Sequence, residues 1–257
     1  MTAVEKLCRE GRTNGVKDIT FLSKEDVGKL EPNLAPELVG GILIPTGGIV
    51  VPFDLVFALT ENAIANGVKL MVNTEAQRVS LEQEGFVVQT NQGAVKTKIM
   101  VNAAGLYGEQ VAMMIGDDSV TIYPRKGEEY LFDRKLEGLV TRTIFPLPSE
   151  VSKGILVIPT VDGNIMIGPT AHRVETCDLR TTLSGWNEVY SEAKKLVPTL
   201  QTADLITAFA GLRAVGNTGD FIIAPSPVSP RFINAAGIES PGLTAAPAIA
   251  EYIVDLI

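Results

Sequence analysis

Cysteine, histidine and tryptophan are scarce in this chain. Its 257 residues include 2 cysteines, 1 histidine and 1 tryptophan. Cys8 and Cys177 are too few for a disulfide framework or a thiolate metal cage, and neither has an activating neighbour motif, so both read as ordinary thiols. With His172 alone, no histidine-built zinc site is expected, and a histidine-based triad could use only that residue. Long apolar runs are absent too. No stretch reaches the roughly 18 apolar residues of a membrane span, and Met1 to Glu10 carries Glu5, Lys6, Arg9 and Glu10 in place of a signal-peptide core. Positive charge is in the minority: 22 Lys+Arg against 30 Asp+Glu give a net charge of −8 and a pI of about 4.8. That excludes the broad basic surface on which non-specific nucleic-acid binding rests. Finally, the 24 glycines include no G-x-G-x-x-G.

What is present is a globular balance, 46% hydrophobic and 20% charged, in a length that suits one large domain or two small ones. The chain reads as having no internal repeats and no low-complexity tract. Residues 1–14 read as a helical lead-in. The Gly- and Pro-rich stretch from Gly15 to Pro52 reads as irregular chain with one strand, Gly41 to Ile44, and a capped short helix at Ser23-Lys24-Glu25-Asp26. Helical spacing of Leu55, Val56, Leu59, Ala63 and Ile64 predicts a helix over Asp54 to Asn66, followed by a strand at Val68 to Val72, half of a βαβ unit. A hairpin around Glu84-Gly85 and a turn at Asn91-Gln92-Gly93 predict three short strands. Ile99 to Val101 reads as a buried strand, and a helix runs over Tyr107 to Ile115. From Thr121 to Gly168 the pattern is antiparallel strands (Thr121 to Tyr123, Glu128 to Phe132, Thr143 to Phe145, Gly154 to Ile158, Asn164 to Gly168). A helix over Thr182 to Leu196, strands at Asp204 to Phe209, Phe221 to Ala224 and Arg231 to Asn234, and a helix over Thr244 to Ile257 complete the chain. The fold class is a mixture of α/β and α+β: residues 51–117 and 204–257 have α/β character, while 15–50 and 118–203 form an interleaved antiparallel-sheet domain.

Four stretches could carry chemistry, each with a plainer alternative. Val101-Asn102-Ala103-Ala104-Gly105 ends a strand in small residues that let a backbone approach a ligand, or is a simple strand–turn–helix. Gly237-Ile238-Glu239-Ser240-Pro241-Gly242-Leu243-Thr244-Ala245-Ala246-Pro247 opens the last helix and offers a positive helix end to an anion, or is a helix start capped by Thr244. Arg213, after Phe209-Ala210-Gly211-Leu212, could present its planar fork to a carboxylate or phosphate, or lie in solvent. His172 is the one side chain with an ordinary pKa near neutrality, or an exposed loop residue. Tyr123 to Tyr130, with Arg125 and Lys126, reads as a charged turn before a strand.

In order and spacing, these stretches resemble the FAD-dependent oxidoreductases of the D-amino-acid-oxidase type, in the branch of glycerol-3-phosphate and L-2-hydroxyglutarate dehydrogenases. The resemblance runs through Pro45-Thr46-Gly47-Gly48-Ile49-Val50-Val51-Pro52, Val101 to Tyr107, Pro124 to Glu128, Ile158-Pro159-Thr160 with Asp162-Gly163-Asn164, Gly168-Pro169-Thr170, Ala210 to Arg213 and Gly237 to Leu243. It implies an incomplete Rossmann-like FAD-binding domain (51–117 and 204–257) interleaved with an antiparallel-sheet substrate domain (15–50 and 118–203). It implies that the backbone at Arg78 and Val79 meets the adenine, that Ala103, Ala104 and Gly105 line the dinucleotide, and that Gly237, Ile238, Ser240, Gly242, Leu243 and Thr244 face the flavin. Arg213 is implied to hold the substrate's anionic group, with His172, Lys126 and Tyr130 as candidate bases.

The implied reaction is oxidation of a small anionic hydroxy substrate, glycerol 3-phosphate first, by hydride transfer to flavin. The alternatives are an L-2-hydroxyglutarate or amino-acid-oxidase-type enzyme, or a non-catalytic binding fragment. The electron acceptor would be a quinone, oxygen or an iron–sulfur partner. The family's opening strand, Gly-rich phosphate turn and helix have no counterpart here. The expectation is thus of a piece lacking the N-terminal dinucleotide-binding unit, weak or absent in FAD binding, inactive alone, and self-associating through the truncated face. The resemblance implies a cytoplasmic protein, with a peripheral place at the membrane for a full-length parent, and some relatives continue into a cysteine-rich domain.

Overall fold

The computed structural model describes residues 3–147 and 154–257. In chain order the elements are α1 (Ala3–Thr13), β1 (Thr20–Ser23), α2 (Lys24–Leu30), β2 (Gly40–Leu43), α3 (Pro52–Ala65), β3 (Ala76–Glu82), β4 (Gly85–Thr90), β5 (Gly93–Thr97), β6 (Met100–Asn102), α4 (Gly108–Met113), β7 (Ile122–Phe132), β8 (Leu156–Pro159), β9 (Ile165–Gly168), β10 (His172–Arg173), α5 (Leu183–Leu196), β11 (Leu205–Gly216), β12 (Ile222–Pro225), β13 (Phe232–Ala236) and α6 (Gly242–Asp255). The chain divides into two compact units. The first holds residues 1–51, 127–171 and 179–211; the second holds 52–126, 172–178 and 212–257. The chain passes between the units after residue 51 and, inside β11, at 211/212. A further passage lies at 126/127, inside β7.

In the first unit, β9 lies between β7 and β8 in antiparallel register, with Tyr130 opposite Ile167 and Phe132 opposite Ile165. Phe132, Val157, Ile165 and Ile167 from this sheet and Val189 and Ala193 from α5 are almost completely buried in one core. Each large apolar side chain so buried contributes about 1.5–3 kcal/mol. Trp186 of α5 stacks on Tyr190 at 4.7 Å and meets Tyr130 edge-on at 5.0 Å. The helix starts where Thr182 accepts a hydrogen bond from the Gly185 amide. The short helix α2 starts with the expected capping box, Ser23 and Asp26 exchanging bonds. A separate two-stranded sheet pairs β1 with β2, from Thr20–Leu43 to Ser23–Gly40; β1 lies where irregular chain was expected.

In the second unit, β13 is flanked by β12, antiparallel, and β6, parallel. Every residue of β13 is buried, which is why Phe232-Ile233-Asn234-Ala235-Ala236 reads as an unbroken run of small and apolar residues about one asparagine. Phe232 meets Phe86 of β4 edge-on at 6.0 Å and shares a core with Val79 of β3. At the other end Ala236 packs with Ala112 of α4 and with Val120. β3, β4 and β5 form the antiparallel sheet that the two turns predicted.

Several expectations are corrected. Val68 to Val72 forms no strand: a strand needs a ladder of backbone hydrogen bonds to a neighbour, and no ladder includes these residues. The supposed turn from Tyr123 to Tyr130 is the middle of β7, eleven residues long. Thr143 to Phe145 reduces to a single bridge, Ile144 with Val157. Arg213 lies within β11, which runs seven residues past the predicted end at Phe209. The last helix begins at Gly242 with Pro241 at its N-cap and no side-chain cap, so Thr244 lies in its first turn and is not the cap. The lead-in helix is present, and its predicted first residues, Met1 and Thr2, lie outside the described residues.

Candidate functional site

Two adjacent strands of the second unit end in the same four residues. β6 runs into Asn102-Ala103-Ala104-Gly105, and β13 is Phe232-Ile233 followed by Asn234-Ala235-Ala236-Gly237. The strands are parallel and in register, Asn102 opposite Asn234, so both runs open on the same sheet edge. In α/β sheets that carboxyl edge is where ligands lie. Gly105 and Gly237 both take the left-handed conformation, φ +57° and +63°, which a side chain disfavours. A Cβ at Gly237 would stand 3.0 Å from the Cα of Gly216 on β11, whereas Gly105 faces open space. The identity of the two tetrapeptides is the signal in the sequence that marks this pairing, but four residues fall far below the length of a structural repeat.

The two asparagines carry the edge. Asn102 Nδ2 donates to Asn234 Oδ1 (3.0 Å) and to the Gly108 carbonyl at the start of α4 (2.8 Å). Asn234 Nδ2 donates to Asp117 Oδ2 (2.9 Å). Asp117 Oδ1 accepts from the Ser119 amide (3.0 Å) and hydroxyl (2.6 Å). All three side chains belong to residues only 1–2% exposed, and in such surroundings an unpaired polar group would cost about 1–3 kcal/mol. Burial pushes the Asp117 carboxyl up, but hydrogen bonds from Ser119, Ser226 and Asn234 outweigh it and hold it below the ordinary 3.8. Asn102 lies in a stretch singled out for its small residues, not for its amide, and Asp117 and Asn234 lie outside the singled-out stretches.

The loop after β13 is tied at Glu239. Arg125 of β7 sets Nη1 3.2 and 3.1 Å from the two Glu239 oxygens and reaches Tyr123 Oη with Nη2 at 3.2 Å. Arg173, opposite Arg125 across the β7–β10 ladder, lies over the Tyr123 ring at 4.4 Å. Within the loop the Gly242 amide donates to the Glu239 carbonyl, and the Ala245 amide to that of Pro241. The half-buried Ile238, the exposed Ser240 and the start of α6 with Leu243 and Thr244 follow Gly237 directly.

The predicted site residues divide. Ala103, Ala104, Gly105, Gly237, Ile238, Ser240, Gly242, Leu243 and Thr244 gather on or next to the paired strand ends. Val79 is buried against the Phe232 end of β13, with Arg78 exposed beside it. Lys126 is buried and stands opposite the exposed His172. Arg213 is half-buried on β11, three residues before the glycine that Gly237 abuts. Tyr130 lies in the core of the first unit. Its hydroxyl donates to Glu128 at 2.9 Å, and burial, reinforced by the Glu128 carboxylate, pushes it well above the ordinary 10.0. Among the described residues no group of three or more His, Cys, Asp or Glu could hold a metal, and no helix is long and apolar enough to cross a membrane.

Residues 1–256 match the family model described as FAD dependent oxidoreductase. The chain belongs to this family. It is 41% identical over its whole length to a glycerol 3-phosphate dehydrogenase of Caloramator mitchellensis, of which it spans 54%. It superposes with a TM-score of 0.91 on the FAD-bound L-alpha-glycerophosphate oxidase of Mycoplasma pneumoniae, at 32% identity over 99% of this chain and 68% of that one. Against glycine oxidase of Geobacillus kaustophilus the TM-score is 0.86 at 26% identity, covering 98% and 66%. The fold is thus that of the family's flavoenzymes, and the chain spans between about half and two thirds of the relatives it matches. The residues present fit the edge of a dinucleotide. The run Ala103-Ala104-Gly105 is exposed or half-exposed, with free space at Gly105 where a side chain would otherwise stand.

Proposed function

We propose that this chain carries the substrate-binding part, and part of the flavin-binding part, of an FAD-dependent oxidoreductase acting on glycerol 3-phosphate. The observation that carries the reading is the 41% identity over the whole chain to a protein of that activity, together with the paired strand ends that can receive the cofactor. FAD, when bound, supplies a two-electron acceptor for the hydride that leaves the hydroxyl-bearing carbon. In this reading Ala103, Ala104 and Gly105, with Gly237, Ile238 and Ser240, form the wall of small residues along the cofactor, and the backbone at Arg78 and Val79 meets its adenine end. Gly242, Leu243 and Thr244 turn the positive end of a 14-residue helix toward the place where negative charge develops. Arg213 orients the substrate through its phosphate. Lys126 or His172, cross-strand neighbours, takes the hydroxyl proton as the hydride departs. Electrons pass on to oxygen, as the relative named an oxidase does, or to a quinone or iron–sulfur partner.

A second reading, oxidation of an amine, is favoured by the likeness to glycine oxidase. Steady-state turnover of glycerol 3-phosphate, L-2-hydroxyglutarate and glycine separates the two. It would be measured on the chain with FAD supplied and on the longer protein to which this reading assigns it. Preferred turnover of glycerol 3-phosphate is expected, and preferred turnover of glycine would overturn the assignment. A fluorescence titration of FAD into the chain alone is expected to show weak binding.

A further inference from the structure

Asp117, Asn234 and Asn102 stand in series, and their hydrogen bonds admit one arrangement. An ionised carboxylate only accepts, whereas a primary amide has a donating and an accepting end facing opposite ways. One Asp117 oxygen is taken by Ser119. The other faces Asn234, which must present its NH2 there and its carbonyl to Asn102. Asn102 in turn must present its NH2 to Asn234 and to the Gly108 carbonyl. Its carbonyl is then left facing the turn, where the Ala104 amide donates to it at 3.4 Å. Reversing either amide would set donor against donor or acceptor against acceptor in residues 1–2% exposed, where bulk water cannot absorb the mismatch.

We infer that Asp117 is a positioning residue, which sets the orientation of the Ala104 amide and the Ala103–Gly105 turn through Asn234 and Asn102. The chain of bonds joins three separate pieces of the unit: the loop after α4, the middle of β13 and the end of β6. Asn102 binds the start of α4 with the same nitrogen that meets Asn234, so turn and helix are fixed together. That this turn lines a dinucleotide rests on the proposed function; the relay itself does not.

The test exchanges the polarity of one link. In D117N the new amide can accept toward Ser119 or toward Asn234 but not both, and in N234D two carboxylates face one another. In the double variant D117N/N234D the amide at position 117 accepts from Ser119 and donates to the carboxylate at position 234, whose second oxygen accepts from Asn102 as before. Amide exchange would be followed residue by residue by NMR on the whole chain. Each single variant is expected to speed exchange at Ala104–Tyr107 about tenfold, the equivalent of one hydrogen bond, and the double variant to restore wild-type protection there. Failure of the double variant to restore protection, or to fold, overturns the inference, as does unchanged exchange in the single variants. A rise spread evenly over the unit overturns it as well, because it marks loss of stability only. FAD titration is the separate readout: absence of FAD binding to the wild-type chain and to the longer protein counts against the proposed function and leaves the exchange result standing.

Discussion

Buried polar side chains in this protein sit at the places where separate stretches of chain must be held in one geometry. Glu128 is 3% exposed and accepts from Tyr130 Oη, the Thr182 amide and the Thr182 hydroxyl. It anchors the start of α5 to β7. The substitution Tyr130→Phe removes one donor and leaves that oxygen less satisfied, so unfolding by urea should show a loss of about 1–2 kcal/mol. The proposed function takes Lys126 or His172 as the base, and on that reading the pH profile of turnover should stay where it is. Asp117 gives a pH dependence with a definite sign. Its folded pKa lies below the unfolded value, so its contribution is fully present above the ordinary carboxylate range and is lost as pH falls through the folded value. Thermal melts from pH 7 downward should therefore show this contribution unchanged until that range is reached, and Asp117→Ala should shift the melts least at the acid end. At this scale the sequence was partly legible. Arg213, His172 and the small-residue turns stand out by type, whereas Asn102, Asn234 and Asp117 are ordinary polar residues whose meaning lies in a pairing across 132 positions.

At the scale of the element, glycine marks where elements approach. Gly185, in the first turn of α5, leaves the space in which the Glu128 carboxylate lies, and a Cβ there would overlap it. Gly185→Ala should cost about 1–3 kcal/mol by overpacking, seen as a lower urea midpoint at unchanged slope. Gly211→Ala is the control: a Cβ there meets nothing within 4 Å, and stability should hold or rise slightly. Elements with local signals were readable. The Ser23–Asp26 box announces α2, and Thr182 announces α5. The long strand β7 was not, because Pro124, Gly127 and the pair Arg125-Lys126 imitate a turn while its partners lie far off in sequence. The run at Val68 to Val72 failed in the opposite sense. Its composition is that of a strand, but composition supplies no neighbour.

For the whole molecule, the telling surface is α3 together with residues 68–72. None of the α3 residues is buried; Phe53 and Phe57 are 72% and 63% exposed, and Val68, Leu70 and Val72 each exceed half. Val56, Leu59, Ala63 and Ile64 line an open apolar groove with Val68 and Leu70. Contiguous apolar surface of this kind drives association in water. The chain alone should therefore run above its monomer mass of 27.4 kDa in light scattering as concentration rises, and Phe53→Glu with Phe57→Glu should return it to monomer. A monomer at all concentrations in the unaltered chain would refute this. The crossing points within β7 and β11 carry no signal in the sequence, since a strand shows no break in pattern where it passes between units.

The parallel pairing of β6 with β13 also bears on the order of events during synthesis. β6 has left the ribosome long before residues 232–236 are made, and its partner is the last strand among the described residues. Until then the edge that will hold Asn102 has no Asn234 to meet. Closing so distant a contact is slow because the loop must be ordered before the contact rewards it. The edge formed by β6 and β13 is thus a late product of folding, and a chain stalled before β13 would expose an unfinished sheet to chaperones and proteases.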